Sequence, residues 1–128
     1  MPTTNFHPAE LAQFTGSETL HRWSALTRSL LSDGALYLAQ EAGAFWLFDA
    51  IDSHLTTQGL NEDTAFTVAR LVRTPGEDAT DAELVLDDGN GVIWRTQAIP
   101  YTDFPLPEIK LYAVHNGRGW THMLPSEY

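Results

Sequence analysis

Two aspartates and a histidine lie close together in the stretch EAGAFWLFDAIDSHL, which spans residues 41–55. Asp49, Asp52 and His54 are residue types that bind metal ions, and paired carboxylates can perform acid–base catalysis when only one of them is ionised. The stretch has helical periodicity, with about 100° of rotation per residue, so His54 lies roughly 140–160° from both aspartates. One straight helix cannot direct all three side chains at one ligand, and we reject a metal site built from these residues alone.

The aromatic residues beside this acidic pair suggest two other roles for the segment. The periodicity predicts a core-facing stripe, which consists of Ala44, Leu47, Phe48, Ile51 and Leu55. Asp49 and Asp52 are predicted on the opposite side, and Asp49 is flanked by two aromatic side chains outside the stripe. We predict that the segment is the central packing helix of the fold. The alternative is a ligand-binding or catalytic pocket at Phe45, Trp46, Asp49 and Asp52.

A second group of acidic residues is concentrated in the stretch EDATDAELVLDD, residues 77–88, which contains no basic residue. Removing its six charges from the total of −10 leaves −4 for the rest of the chain. A solvated loop is the simplest interpretation. The sharper hypothesis is a partner-binding acidic surface for a basic host protein, formed by Glu77, Asp78, Asp81, Glu83, Asp87 and Asp88. An extended strand would offer one charge per roughly 6–7 Å, far sparser than duplex DNA.

Composition argues against several other classes of protein. The seven lysines and arginines are scattered along an acidic chain, which disfavours direct nucleic-acid binding. There are no cysteines, and DDGNG lacks the later glutamate of a calcium loop, so we predict no metal, cofactor or catalytic residue. The longest apolar run, AGAFWLF, is too short to cross a membrane, and the start does not resemble a signal peptide. We therefore expect a cytoplasmic protein without membrane contact.

The pattern of helix and strand signals predicts one α+β domain covering residues 1–128. Helical segments are expected at 5–14 and 35–55, the second beginning at the SDG motif and interrupted at Gly43. The sequence then changes to strand periodicity at 64–72, with hairpins at 83–99 and 109–124. Pro105 and Pro107 exclude a central strand at 101–108. The predicted fold has N-terminal helices packed on an antiparallel β-meander of about four to six strands.

Five short stretches occur in an order that resembles a known family. They are FTGSE (14–18), SDGALYLAQEAGAFWLFDAI (32–51), DDGNG (87–91), YTDFPL (101–106) and LPSEY (124–128). Together they resemble a family of small uncharacterised bacterial proteins, a domain of unknown function often carried on plasmids and phages. The family has no assigned catalytic residues to transfer. The resemblance implies an accessory protein of a mobile element in a bacterial cytoplasm.

The acidic stretch and this resemblance together favour a non-enzymatic, protein-binding function. The hypothesis is an inhibitor of a host nucleic-acid-targeting defence system, anti-CRISPR-like or anti-restriction, that acts through an acidic surface. Two alternatives stay open. One is a small enzyme or ligand-binding protein with a pocket near Asp49 and Trp46. The other is a structural homo-oligomer, with a homodimer interface at Trp46, Trp94 or Trp120.

Overall fold

The computed structural model describes residues 20–24, 29–61, 64–75, 80–115, 117 and 119–128. The elements in these ranges are the strands β1 (His21–Ser24) and β2 (Ser29–Leu31), the helices α1 (Asp33–Glu41) and α2 (Phe45–Gln58), the strands β3 (Phe66–Arg73), β4 (Ala82–Asp87), β5 (Ile93–Ile99), β6 (Glu108–His115) and β7 (Trp120–Met123), and a 3₁₀ turn (Pro125–Glu127). The helix predicted at 5–14 lies outside the described residues.

The helical segment predicted from the SDG motif forms two helices. Ser32 caps α1, because its side-chain oxygen accepts a hydrogen bond from the Ala35 amide at 3.1 Å. Gly43 has a φ of 63°, a left-handed conformation that glycine adopts without strain, and it separates α1 from α2. The predicted interruption at Gly43 is therefore confirmed.

The strands form one mixed sheet in the order β1-β2-β7-β6-β3-β4-β5. All neighbours are antiparallel except β2 and β7. The α+β class is confirmed, but the sheet is mixed rather than the predicted antiparallel meander, and β1 and β2 precede the helices. The strand directions give the reason for this departure. Since β2 and β3 run the same way, they need a long crossover connection, which α1 and α2 provide.

The main core lies between the two helices and one face of the sheet. Residues that alternate along the central strands are at most 2% exposed, namely Ala69 and Leu71 on β3, Leu84 and Leu86 on β4, and Leu111 and Ala113 on β6. From the helices, Leu38, Leu47, Phe48, Ile51 and Leu55 are fully buried against the same core. Each fully buried aliphatic side chain contributes about 1.5–3 kcal/mol relative to exposure, so this face supplies most of the stability.

Both predicted hairpins are present, but the second has a different register. The β4–β5 turn is held by Asp88, whose Oδ1 accepts from the Asn90 and Val92 amides at 2.8 and 3.2 Å. In the β6–β7 hairpin the strands are joined by residues 116–119 rather than by a two-residue turn at Asn116-Gly117. As a result His115 pairs with Trp120 and His122 pairs with Ala113. A two-residue turn at Asn116-Gly117 would instead have placed His122 opposite Leu111.

Candidate functional site

Asp52 is a buried acid at the centre of a polar cluster, contrary to its expected position away from the core. Only 3% of its surface is exposed. Its Oδ1 accepts hydrogen bonds from Ser29 Oγ at 2.8 Å and from His122 Nε2 at 2.7 Å. At about 100° per residue, Asp52 lies only about 40° from Phe48 and thus on the flank of the core stripe. It joins α2 to both β2 and β7.

Ser29, Asp52 and His122 are the residue types of a hydrolase triad, but their geometry differs from one. The serine hydroxyl donates to the aspartate, whereas a nucleophilic serine must donate to the histidine that acts as its base. All three side chains are buried, and the edge of the Phe48 ring packs on His122 at 5.3 Å between centroids. We therefore interpret the cluster as a polar link between three elements rather than as a catalytic site.

Two buried atoms of the link, Asp52 Oδ2 and His122 Nδ1, have no hydrogen-bond partner among the residues that the structure describes. Burying polar groups that are only partly satisfied costs free energy. Removing one member of such a buried pair costs more, because the remaining partner stays desolvated. Each of the three side chains therefore needs the others to offset the cost of its burial. Ser29 and His122 also hold the carboxyl group of Asp52 in a fixed orientation.

The four residues suggested for a ligand pocket are divided between solvent and core. Phe45 and Asp49 are exposed one turn apart on α2, and Trp46 is half-buried against the core. Asp52 is enclosed by Ser29 and His122, so its carboxylate and that of Asp49 face different environments.

His54 lies on the other flank of α2, where its Nε2 is 2.6 Å from Gln97 Oε1 of β5. His54 and Asp52 thus have different hydrogen-bond partners, since Asp52 is bonded to Ser29 and His122. The two flanks of α2 thus carry polar contacts to opposite halves of the sheet, one at β2 and β7 and the other at β5.

The acidic stretch is divided by the structure into two parts that differ in burial and in contacts. Asp87 is 7% exposed and its Oδ1 accepts from the Gly89 amide at 2.7 Å, while Asp88 holds the same turn. Asp81 and Glu83, near the other end of β4, are exposed to solvent. Glu77 and Asp78 lie outside the described residues. Because a six-residue strand is about 20 Å long, the described acids at the two ends of β4 do not form one compact acidic surface.

A groove of about 410 Å³ lies beside the two exposed acids. Its lining includes Val72, Thr74, Pro75, Asp81, Glu83 and Ala98. Glu83 is held rigidly there, because β4 is paired with Val72 of β3 on one side and with Ala98 of β5 on the other. The guanidinium of Arg73, which also lines the groove, donates to the Phe104 carbonyl oxygen at 3.1 Å. The groove therefore presents carboxylates to solvent and suits a basic side chain.

The side-chain carboxylate of Glu127 forms a second polar site that the sequence alone did not reveal. It accepts hydrogen bonds from Ser32 Oγ at 2.6 Å and from the amides of Gly34 and Leu124 at 3.0 Å each. A Cβ at Gly34 would lie only 2.5 Å from Glu127 Oε1. The motifs SDGALY and LPSEY thus meet in space, with Glu127 supplying the negative charge that the N-terminus of α1 favours.

The fold and the groove define a small α+β domain with an open acidic site. The chain belongs to DUF6876, a family of unknown function, whose model matches residues 6–128. The comparisons found no match among curated proteins and none among solved structures. Neither helix in the described part of the chain is long and apolar enough to span a membrane.

Proposed function

We propose that the protein is a non-enzymatic binding protein that occupies a basic surface of a protein partner through its acidic groove. The observation that carries this proposal is the exposure of Asp81 and Glu83 beside an open groove of about 410 Å³. A lysine or arginine side chain of the partner would enter this groove and meet both carboxylates. A net charge of −10 would also speed association with such a partner.

The ion pairs in this groove cannot by themselves supply a high affinity for the partner. A single solvent-exposed ion pair contributes only about 0.2–1 kcal/mol. The partner must therefore also use the apolar lining at Val72 and Ala98 for affinity, and the acids chiefly supply orientation and specificity. Asp81 contributes a defined geometry, since its Oδ2 accepts from Thr74 Oγ1 at 2.8 Å and the carboxylate is thereby oriented.

The family resemblance supports a particular class of partner. Related proteins on plasmids and phages would act on host proteins, and defence complexes that target nucleic acids carry basic surfaces for phosphate. We infer that the protein is a mobile-element accessory protein and inhibits such a complex in the bacterial cytoplasm, in an anti-CRISPR-like or anti-restriction manner. The partner surface is basic protein, and nucleic acid itself would be repelled.

The test is capture of a partner from host lysate with a matched pair of charge-reversal variants. One variant combines Asp81→Lys with Glu83→Lys. The control combines Asp49→Lys with Glu41→Lys on the helices, which gives the same change in net charge. We expect the wild type and the control to retain the same partner and the groove variant to lose it. Equal capture by both variants, with cooperative unfolding intact, would refute the groove as the binding site.

A further inference from the structure

Strand β5 forms one edge of the sheet, and its outer side has no paired strand among the described residues. The strand is seven residues long, and Thr96 and Ala98 along it are exposed. The exposed fractions of Val92 and Ile93 just before and at its start are 60% and 53%. Free backbone N–H and C=O groups on a long edge strand are a template for pairing with another strand.

The side of β5 that faces the helices is already occupied by the protein's own residues. Arg95 donates through Nη2 to Gln58 Oε1 at 3.2 Å, and Gln97 contacts His54. Arg95 is the one charged residue of β5, and a charged side chain can oppose pairing at a sheet edge. Its guanidinium is hydrogen-bonded to α2 instead. A second strand can therefore pair with the backbone of β5 and contact the side chains on the face away from the helices.

Charge makes a second copy of this chain the favoured occupant of the edge. The stretch from Gly89 to Thr102 contains no acidic residue and one arginine, in a chain with 17 acids. Two acidic molecules can therefore pair along this edge without bringing carboxylates directly opposite one another. An antiparallel pairing centred on Thr96 places Arg95 opposite Gln97 and brings Trp94 beside Ala98. No like charges are directly opposite in this register.

We propose that the protein forms a two-fold symmetric dimer in which β5 pairs with β5 of a second copy, centred on Thr96. The two sheets then become one continuous sheet, because directly opposite residues lie on the same face. The helices of both copies cover the same side of it. The dimer interface and the groove share Ala98, but they are tested by different substitutions, Thr96→Lys for the dimer and Asp81→Lys with Glu83→Lys for the groove.

A single engineered cysteine tests both the dimer and its register, because the chain has no cysteine of its own. Directly opposite residues in an antiparallel pair have Cα atoms about 4.5–5.5 Å apart, a separation that a disulfide can span. Under mild oxidation, Thr96→Cys is expected to give a disulfide-linked dimer rapidly. Ser53→Cys, exposed on α2, is the control and is expected to cross-link at least tenfold more slowly.

Light scattering on the full-length protein completes the test without any covalent bond. The wild type is expected to have the mass of a dimer, and Thr96→Lys, which places two ammonium groups at the symmetry axis, is expected to have the mass of a monomer with an unchanged circular dichroism spectrum. A monomeric wild type would overturn the proposal. So would equal cross-linking of the two cysteine variants, or a Thr96→Lys protein that stays dimeric.

Discussion

At the scale of single residues, Asp52 connects helix α2 to two strands of the sheet. Its Oδ1 accepts from Ser29 of β2 and from His122 of β7, while its own backbone belongs to α2. The parallel contact between β2 and β7 consists of only two residue pairs. The carboxyl group therefore reinforces a short seam of the sheet.

Replacing Asp52 should be far more damaging than replacing its neighbour on the helix. Asp52→Ala removes the acceptor for two buried donors, and loss of one member of a buried pair typically costs about 3–5 kcal/mol. Asp52→Asn should cost less, because an amide oxygen still accepts a hydrogen bond. Urea denaturation measures the free energy of unfolding of each variant.

Asp49→Ala is the matched control for this prediction. Asp49 is exposed on the same helix, and substitutions at such positions usually change stability by less than about 0.5 kcal/mol. Similar losses for Asp52→Ala and Asp49→Ala would contradict the structural role of the buried cluster. A stable Asp49→Ala protein that loses a binding activity would instead favour the alternative pocket on α2.

At the scale of elements, the N-terminus of α1 is completed by the C-terminal segment of the chain. Ser32 accepts from the Ala35 amide and donates to Glu127, which also accepts from the Gly34 amide. Two of the amides that a helix start leaves unpaired are thereby satisfied. The last residue, Tyr128, packs edge-on against Phe66 and Tyr112 on the sheet, with centroids 5.1 and 5.6 Å apart.

The close approach at Gly34 predicts coupling between the two ends of this contact. Alanine normally favours a helix over glycine by about 1 kcal/mol, but a Cβ at Gly34 would lie 2.5 Å from Glu127 Oε1 and 2.6 Å from Leu124 Cδ1. Gly34→Ala should therefore be destabilising by about 1–3 kcal/mol. Its cost should shrink when Glu127→Ala is also present, as a double-mutant cycle in urea would show. Strictly additive effects would contradict the contact.

Local patterns predicted the elements well because each depends on neighbouring residues. The SDG motif marks the start of α1, Gly43 interrupts the helix, and DDGNG forms the β4–β5 turn. The placement of β6 beside β3 and the parallel contact of β2 with β7 were not predictable this way. They join residues far apart in the chain, and hydrophobic periodicity carries no information about which strands pair.

The candidate sites were also only partly predictable, because their contacts join residues that are far apart in the chain. Asp52 could have been placed near the core, since it lies about 40° from Phe48 around the helix. Its partners could not have been predicted, because Ser29 and His122 come from distant strands and the β6–β7 register depends on the length of residues 116–119. The acidic stretch was identified, but its division depends on the turn, which uses Asp87 and Asp88 internally.

At the scale of the whole molecule, charge is distributed so that different surfaces suit different partners. The exposed acids at the start of β4 lie beside the groove, whereas the β5 edge contains no acid. A dimer through β5 would present two acidic grooves, one on each copy. If the partner carries two basic sites, linking the grooves would raise the effective concentration for the second contact.

The central claim is that Asp81 and Glu83 bind a basic partner, and the salt dependence of that binding tests it most directly. Affinity for the captured partner would be measured by calorimetry between low and high salt, roughly 0.05 and 0.5 M, across which exposed charges become strongly screened. The affinity of the wild type for the partner should fall steeply as the salt concentration rises. The variant combining Asp81→Lys with Glu83→Lys should bind poorly at both concentrations, with little salt dependence. Equal affinity and an equal salt slope for the two proteins would contradict the account.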